Sequence, residues 1–532
     1  MRKIKAFPEA LEAQMGLNKK SEKRWFWCAL ILLTIYLECV VYAQNSSLGS
    51  KPHLLSLFYA VIVIPLCFVG VRFCNKIKLS SKTINSEDQI NKKRSVLFII
   101  GVFVLTFSIY FLWQTAFWPG SYSYDSINQY AQVIDGNYNN WHPVLHTWLF
   151  FWLPFRIFHG AAGIVFVQLV WFSAAVTYLF HVLHTGKCPN KFMFLSWLYI
   201  VANPNTARIM LYPWKDSAMS IFALVLFTQL IRIYMTEGKW LEKWYNLAMF
   251  SAIAFLTVSM RHNAVLLVAP VFVILFLFFK NSRKRLIISI VSVIMATFLL
   301  NGPIFKLANV GQPGMRTLET VGCPMTILSD IYIYDRSALS EESLSFMDSL
   351  ATQEEWKQYV PGNFNSIKGV NDALGYKVDV AGTETILKYT VEASLNNPWV
   401  AWDAFVHLTD MVWSFDGGDG WSIGGGIIDN PYGIRNAGNE QLETVFSTYA
   451  SHCNTYVTKY LFNFIGVIIL LLLFMAVGKI GNGNLSEALL ILAPMAYNFG
   501  TMLLLSGPDF RFFHYNFLII VPLLYIILKE RA

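Results

Sequence analysis

Four short segments place ionisable residues beside strongly apolar sequence: Asp125 with His142, Lys215 with Asp216, Arg261 with His262, and Asp509 with Arg511 and His514. A carboxylate next to an aqueous cleft takes a proton from an acceptor hydroxyl or holds a divalent cation, and a histidine shares either task. Asp125, His142 and Asp216 are therefore the candidate catalytic residues, and Asp125 and Asp216 could together hold a divalent metal ion. Arginine suits bidentate binding of phosphate, as in a lipid-phosphate head group. Lys215, Arg261, His262 and Arg511 form the candidate phosphate-binding set, joined by Tyr124 and Gln129 as candidate substrate contacts. Each has a plainer reading. An acid in a first helical turn answers the helix dipole, Lys215 and Asp216 can pair with each other, and arginines at span ends snorkel to the interface. His142 can wedge beside Pro143, with Tyr138 and Trp141 as interfacial aromatics.

The element that must position the first group is the polar and aromatic stretch 119–143. Tyr124, Ile127, Ala131 and Ile134 fall at helical spacing, and Asp125, Gln129 and Gln132 share a neighbouring stripe, which predicts a short amphipathic helix lying flat on a membrane. Ser123 is the expected N-cap, with Asp125 in the first turn.

The composition excludes an ordinary soluble enzyme: of 532 residues, 55% are hydrophobic and 14% charged, and the mean hydropathy is +0.45. Several windows approach the ~20 apolar residues needed to cross a bilayer, and no alternating ten-residue strands suggest a barrel. The expected fold is an all-α polytopic membrane protein with about 12 transmembrane helices and a mainly helical extracytoplasmic domain. The net charge of +8 does not indicate nucleic acid, because Lys and Arg sit largely in short loops between apolar spans. Seven cysteines show no metal-ligand spacing; Cys28, Cys39, Cys67, Cys74 and Cys188 fall in or beside spans, leaving Cys323 and Cys453 as the one pair that could meet outside. The N-terminal basic run before the first apolar segment reads as an uncleaved first span.

Basic loops fix the expected topology. The basic loop 76–94 and the N-terminus are expected inside, and the segments at Lys187/Lys191, Lys239/Lys243 and 280–285 join them only if the short segment 144–158, broken by Pro154 and Arg156, does not cross. It is therefore expected to be a juxtamembrane or re-entrant helix, with both termini cytoplasmic in a plasma-membrane protein. The organisation that follows is 1–94, a cytoplasmic N-terminus and two additional spans; 95–303, a transmembrane core with external loop 118–143; 304–457, an extracytoplasmic domain; and 458–532, the C-terminal spans. In the external domain Ser340 is the expected cap of a helix running to Leu350, and 383–395 is a second helical run. The loop from Asp416 to Trp421 could cradle a phosphate or simply be flexible. No P-loop, dinucleotide fingerprint, zinc motif or nucleophile elbow is present. All four ionisable clusters then emerge on one outer face, the arrangement of groups that line an aqueous cavity.

An acid in the first large external loop, a His-Pro opening a juxtamembrane helix, a second acid two spans later and an arginine before the last helix form a layout that resembles the GT-C superfamily of integral-membrane glycosyltransferases. These include oligosaccharyl-, mannosyl- and aminoarabinose-transferring enzymes. The closer resemblance is to an uncharacterised bacterial family of that superfamily, through Tyr124-Asp125-Ser126, Gln129, Asn140-Trp141-His142-Pro143, Trp214-Lys215-Asp216 and Arg261-His262-Asn263. It covers roughly 95–528 in arrangement. The resemblance implies a polyprenyl-phosphate-linked sugar donor and transfer on the outer face to a glycan, lipid or protein acceptor. It makes Asp125 the first-loop acid, Asp216 the second, and Arg261 or Arg511 the donor-phosphate ligand. The chain departs from the pattern in lacking a paired acid beside Asp125 and in having two extra spans ahead of the usual first. Two other classes stay open on the residues: a transporter or flippase of a lipid-linked glycan, and a non-catalytic membrane assembly protein.

Overall fold

The computed structural model describes residue 12 and residues 20–45, 56–79, 92–312, 317–413, 426–481 and 484–529. Among these the chain is all-helical, with isolated β-bridges and no strand. Among the described residues five helices are long and apolar enough to cross a membrane: Ser95–Ala116, Ala161–Thr185, Lys215–Met235, Lys280–Leu307 and Phe510–Leu528. Lys215–Met235 and Phe510–Leu528 pack against each other at the centre and are mostly buried. Ser95–Ala116 and Lys280–Leu307 are equally apolar yet little of either is fully buried, and they present side chains such as Leu97, Leu105, Ile294 and Phe298 outward. A helix that is apolar all round fits either a core or a lipid boundary, so the central pair and the outer pair together suit a membrane protein.

The expectation of about 12 spans is not met by length and composition. Five further apolar helices, including Trp244–Met260, His262–Phe278 and Ile465–Gly481, run only 10–17 residues. At 1.5 Å per residue even the longest of these reaches ~26 Å, short of a ~30 Å hydrocarbon core. Local chemistry accounts for one expected span. The segment 192–210 breaks into Asn190–Ala202 and Pro204–Leu211, because the Asn203 side chain accepts from the Asn205 and Thr206 amides and Pro204 opens the second helix. Likewise 488–505 divides into Leu485–Leu489 and Leu492–Met502.

Helix direction gives the bundle two distinct ends. Lys215–Met235 and Phe510–Leu528 start at one end while Trp244–Met260 finishes there, so residues 215, 261 and 511 converge. At the opposite end the loops close on one another: the Ser282 hydroxyl donates to the Gly238 carbonyl at 3.1 Å, Arg285 Nη1 to the Leu241 carbonyl at 3.3 Å, and the Tyr525 hydroxyl to the Gly186 carbonyl at 3.1 Å. The Leu79 amide donates to the Leu528 carbonyl at 2.9 Å. The described parts of the basic loops are thus gathered at one end and the four candidate clusters at the other, the separation expected from the charge pattern.

Residues 321–401 form a second hydrophobic core around Met325, Leu328, Trp356, Phe364 and Ile386. Ser340 caps Glu341–Leu350 by accepting from the Ser343 amide, and helix Ala373–Asn396 is broken at Gly382 (φ 75°, ψ 159°), so the predicted run from 383 is a helix of its own. The expected unit 304–457 is narrower than read from the sequence. Residues 426–439 instead line up along 115–122, with the Ile428 amide donating to the Tyr122 carbonyl at 3.1 Å and the Asn439 amide to the Thr115 carbonyl at 3.1 Å. Helix Glu440–Thr455 then lies along Lys92–Ala116, where Phe446 stacks on Trp113 at 4.3 Å. Cys323 and Cys453 are both free thiols and do not pair. The loop from Asp416 to Trp421 lies outside the described residues.

The segment leading into the second core, and that core itself, each meet the ionisable end of the bundle. The Gly311 amide donates to the Tyr138 carbonyl at 2.8 Å and the Asn140 amide to the Gly311 carbonyl at 3.0 Å. Across the site, the Asn365 amide donates to the Ser506 carbonyl at 2.9 Å, and Lys368 Nζ to the Ser506 hydroxyl at 2.7 Å. Gly322 is required there: a Cβ on it would stand 2.6 Å from the Leu505 carbonyl oxygen.

Candidate functional site

Helix Tyr124–Asp135 forms as predicted, with Ser123 at the N-cap, Asp125 in the first turn and Gly136 closing it at φ 72°. The Ser123 hydroxyl caps nothing; it accepts from Trp214 Nε1 at 2.7 Å, which ties the helix to the turn carrying Lys215 and Asp216. Its buried residues are Ser126, Gln129, Tyr130 and Gln132, while Tyr124 and Ile134 are exposed. The polar stripe therefore faces the protein, the reverse of an ordinary amphipathic helix on a soluble core. The following segment, Val144–Phe158, is one continuous short helix with a π-helical middle at Thr147–Trp152.

Arg511 stands at the centre of the site. Its Nη1 meets Asp125 Oδ2 at 2.8 Å, and its Nε meets Asp509 Oδ2 at 2.8 Å and Asp216 Oδ2 at 3.8 Å. Asp509 also accepts from the Arg511 amide at 3.1 Å, a local turn that fixes the arginine's base. Asp216 is fully buried, and its other oxygen pairs with Arg261 Nη1. Arg261 Nε donates to Asn263 Oδ1 at 2.7 Å, and Asn263 Nδ2 in turn to the Thr501 hydroxyl at 2.8 Å. Phe512 has both guanidinium groups against its ring, Arg261 at 4.1 Å and Arg511 at 5.1 Å from the centroid, and Arg511 also lies 5.0 Å from the Trp214 ring. Aromatic contacts of this kind hold a planar cation where few waters reach it.

Three carboxylates (Asp125, Asp216, Asp509) thus face three cations (Lys215, Arg261, Arg511), and the cations are not equivalent. Both arginines are committed to carboxylates. Among the described residues no ion pair holds Lys215; its Nζ lies 3.5 Å from His142 Nδ1, at the outer limit of a hydrogen bond, and its side chain is partly exposed. Burial, helped by the neighbouring Lys215 charge, lowers the His142 imidazole to about 3. The ring is therefore neutral at physiological pH, and in the tautomer that leaves Nδ1 unprotonated it accepts from Lys215. Burial acts to raise the Asp125 carboxyl, but the adjacent Arg511, Lys215 and His142 outweigh it and hold Asp125 well below the usual carboxylate range. Asp125 is therefore ionised at physiological pH.

Of the residues selected from sequence, Asp125, His142, Lys215, Asp216, Arg261 and Arg511 form this connected group. His262 is exposed beside it and lines a small pocket with Asn140, Ser259 and Asn301. Two candidates do not join. Gln129 is buried under its helix, where its amide donates to Thr147 Oγ1 at 2.8 Å and meets His146 Nδ1 at 2.8 Å; Tyr124 is 80% exposed. His514, grouped with Arg511 in sequence, is buried one turn deeper against the Thr206 hydroxyl at 3.0 Å. The expected metal pair does not suit a divalent ion: a guanidinium already lies between Asp125 and Asp216, and a metal would have to displace it. Among the described residues no group of three or more His, Cys, Asp or Glu is arranged for a metal. Sequence reasoning grouped Asp509 with Arg511 but gave it no role, and it missed Trp214 and Phe512 as site residues; the available signal was their adjacency to Lys215 and Arg511. Compared with protein-family models, curated proteins and solved structures, the chain matches none.

Proposed function

We propose that the chain is a membrane glycosyltransferase that moves a sugar from a polyprenyl-phosphate-linked donor to an acceptor hydroxyl at the outer face of the plasma membrane. The observation that carries this reading is Lys215, which no ion pair holds among the described residues, beside an ionised Asp125 at the end of the bundle opposite the basic loops. Lys215 receives the donor phosphate as a point charge. Arg261 and Arg511, fixed by Asp216 and Asp509, supply the surrounding positive potential. Asp125 accepts a hydrogen bond from the attacking hydroxyl. The bond from the anomeric carbon to phosphate breaks as the bond to the acceptor oxygen forms. Polyprenyl phosphate departs, and the hydroxyl proton passes to solvent.

The positive-inside pattern puts the basic end in the cytoplasm, with both chain termini, and the site outside. A length of ~22 Å for Val144–Phe158 suits a helix that lies at the outer interface without crossing. The transporter reading is less favoured because the ionisable groups gather at one end of the bundle, whereas transporter sites lie near mid-membrane between related halves. The test is transfer from a labelled polyprenyl-phosphate sugar by the purified protein in vesicles. Asp125→Asn should reduce transfer by about 100-fold or more with unchanged membrane insertion, and full activity in that variant refutes the assignment.

A further inference from the structure

At the end of the bundle that carries the basic loops, helices Ala161–Thr185 and Lys215–Met235 lie side by side. Two contacts pin them in parallel register. Trp171 meets Phe222 with ring centroids 6.0 Å apart, and further along a Cβ on Gly186 would stand 3.1 Å from Met235 Cε. Two turns beyond the first contact Tyr178 therefore comes level with Gln229, and one turn later His181 with Arg232. The charge of Arg232 reaches both the Tyr178 hydroxyl and the His181 ring, as that register requires. Gln229 is fully buried, and neither polar atom of its amide has a hydrogen-bond partner. An unmet amide in an apolar bundle is costly and marks a place that a ligand or water completes. Tyr178, His181 and Arg232 are half-buried beside it. Arg232 also reaches the Tyr525 hydroxyl, and Lys529 Nζ lies 5.6 Å from the centroid of the same tyrosine ring. Among the described residues no ion pair holds Arg232 or Lys529, and no carboxylate is a charged neighbour of Arg232, His181 or Lys529. An arginine that only snorkelled would put its charge in water beyond the span end. Arg232 instead sits half-buried a turn inside its helix, beside a histidine. Towards mid-bundle the same face of Ala161–Thr185 turns apolar, with Ala174 and Trp171 exposed at three- and four-residue spacing from Tyr178 and His181.

We propose that this face seats one anionic glycerophospholipid of the leaflet at the basic end, its phosphate against Arg232 and His181, a glycerol or ester oxygen on the Gln229 amide, and an acyl chain along Ala174 and Trp171. Lys529 adds positive potential from beyond Tyr525. Cations gathered between span ends without carboxylates suit a lipid phosphate of net negative charge. A zwitterionic head brings its own cation and answers them less well, and a free phosphate would leave Ala174 and Trp171 uncovered. Arg232 follows Lys215 by roughly 25 Å of helix, so the seat is separate from the ionic group and independent of glycosyl transfer.

The test reconstitutes the full chain in nanodiscs of equal parts phosphatidylcholine and phosphatidylglycerol, releases it into detergent and measures retained lipid by native mass spectrometry. Phosphatidylglycerol should be retained over phosphatidylcholine by about tenfold. Arg232→Gln should cut that retention by about tenfold, and Lys280→Gln, an exposed cation of the nearby basic loop, by less than about twofold. Gln229→Leu, which keeps the volume and removes the unmet amide, should lower retention several-fold without lowering the unfolding midpoint in phosphatidylcholine alone. A glutamine of purely structural role would move the midpoint and not the lipid. Equal retention of the two lipids, or retention insensitive to Arg232→Gln, overturns the seat; the wild-type comparison decides this even if a variant fails to fold. Unchanged retention in Gln229→Leu overturns the placement of the glycerol region. Displacement of phosphatidylglycerol by inorganic phosphate assigns the cations to a soluble anion and overturns the lipid.

Discussion

Asp216 and Asp330 are both fully buried aspartates, one at the ionic end of the bundle and one in the second core, and the molecule accommodates them in opposite ways. Asp330 is met by neutral donors: the Gly362 amide at 3.1 Å from each oxygen and the Tyr359 hydroxyl at 3.0 Å. Those bonds only partly offset burial, and its carboxyl is pushed up to about 6. Asp216 is met by two guanidinium groups, themselves stacked on Phe512. A buried ionic cluster is a poor way to gain stability, since apolar residues of similar volume often do as well. Six charged side chains gathered at one end of an apolar bundle therefore point to use of the charge, while Asp330 is an ordinary structural acid.

The contrast can be broken by substitution. Asp216→Ala leaves Arg261 and Arg511 without their shared partner and should cost about 3–5 kcal/mol, read as a fall in the unfolding midpoint in detergent. If that variant unfolds like the parent, the network is not held by Asp216. The contrast can also be sharpened with pH. Because the folded pKa of Asp330 is raised, the folded state binds the extra proton between about pH 4 and pH 6, so stability contributed in that window falls as pH rises. Hydrogen exchange in 321–401 should become faster in free-energy terms by up to about 3 kcal/mol between pH 4 and pH 7, and Asp330→Asn should flatten the profile. Asp125 has the opposite sign: its folded pKa is lowered, so its contribution is complete above the ordinary carboxylate pKa and is lost only as pH falls through the lowered one. A smaller effect is expected from Phe512→Leu, which removes the ring from two cations and should cost about 0.5–2 kcal/mol in the same detergent unfolding measurement. A loss no greater than that of an exposed Leu substitution would mean the stacking contributes nothing.

Much of this was legible in the sequence where the signal is local. The helix after Ser123, the cap at Ser340 and the separation of basic loops from the other clusters follow from capping chemistry and charge placement. The failures are tertiary. Apolar runs look alike whether or not they are interrupted, so the break at Asn203-Pro204 divided a segment that hydropathy reads as one span. Gln129 lay on the same stripe as Asp125, but burial against His146 and Thr147 turned it inward. The residues that organise Arg511 come from positions 125, 214, 216, 509 and 512, and only the fold reveals that Asp509 fixes its base while Asp216 anchors it from another helix.

The most direct test of the account is a structure of the protein with a non-hydrolysable polyprenyl-phosphate sugar. It predicts the phosphate within about 4 Å of Lys215 Nζ, with the sugar towards Asp125. A phosphate bound among the basic loops at the opposite end of the bundle, with the ionic group undisturbed, would contradict it.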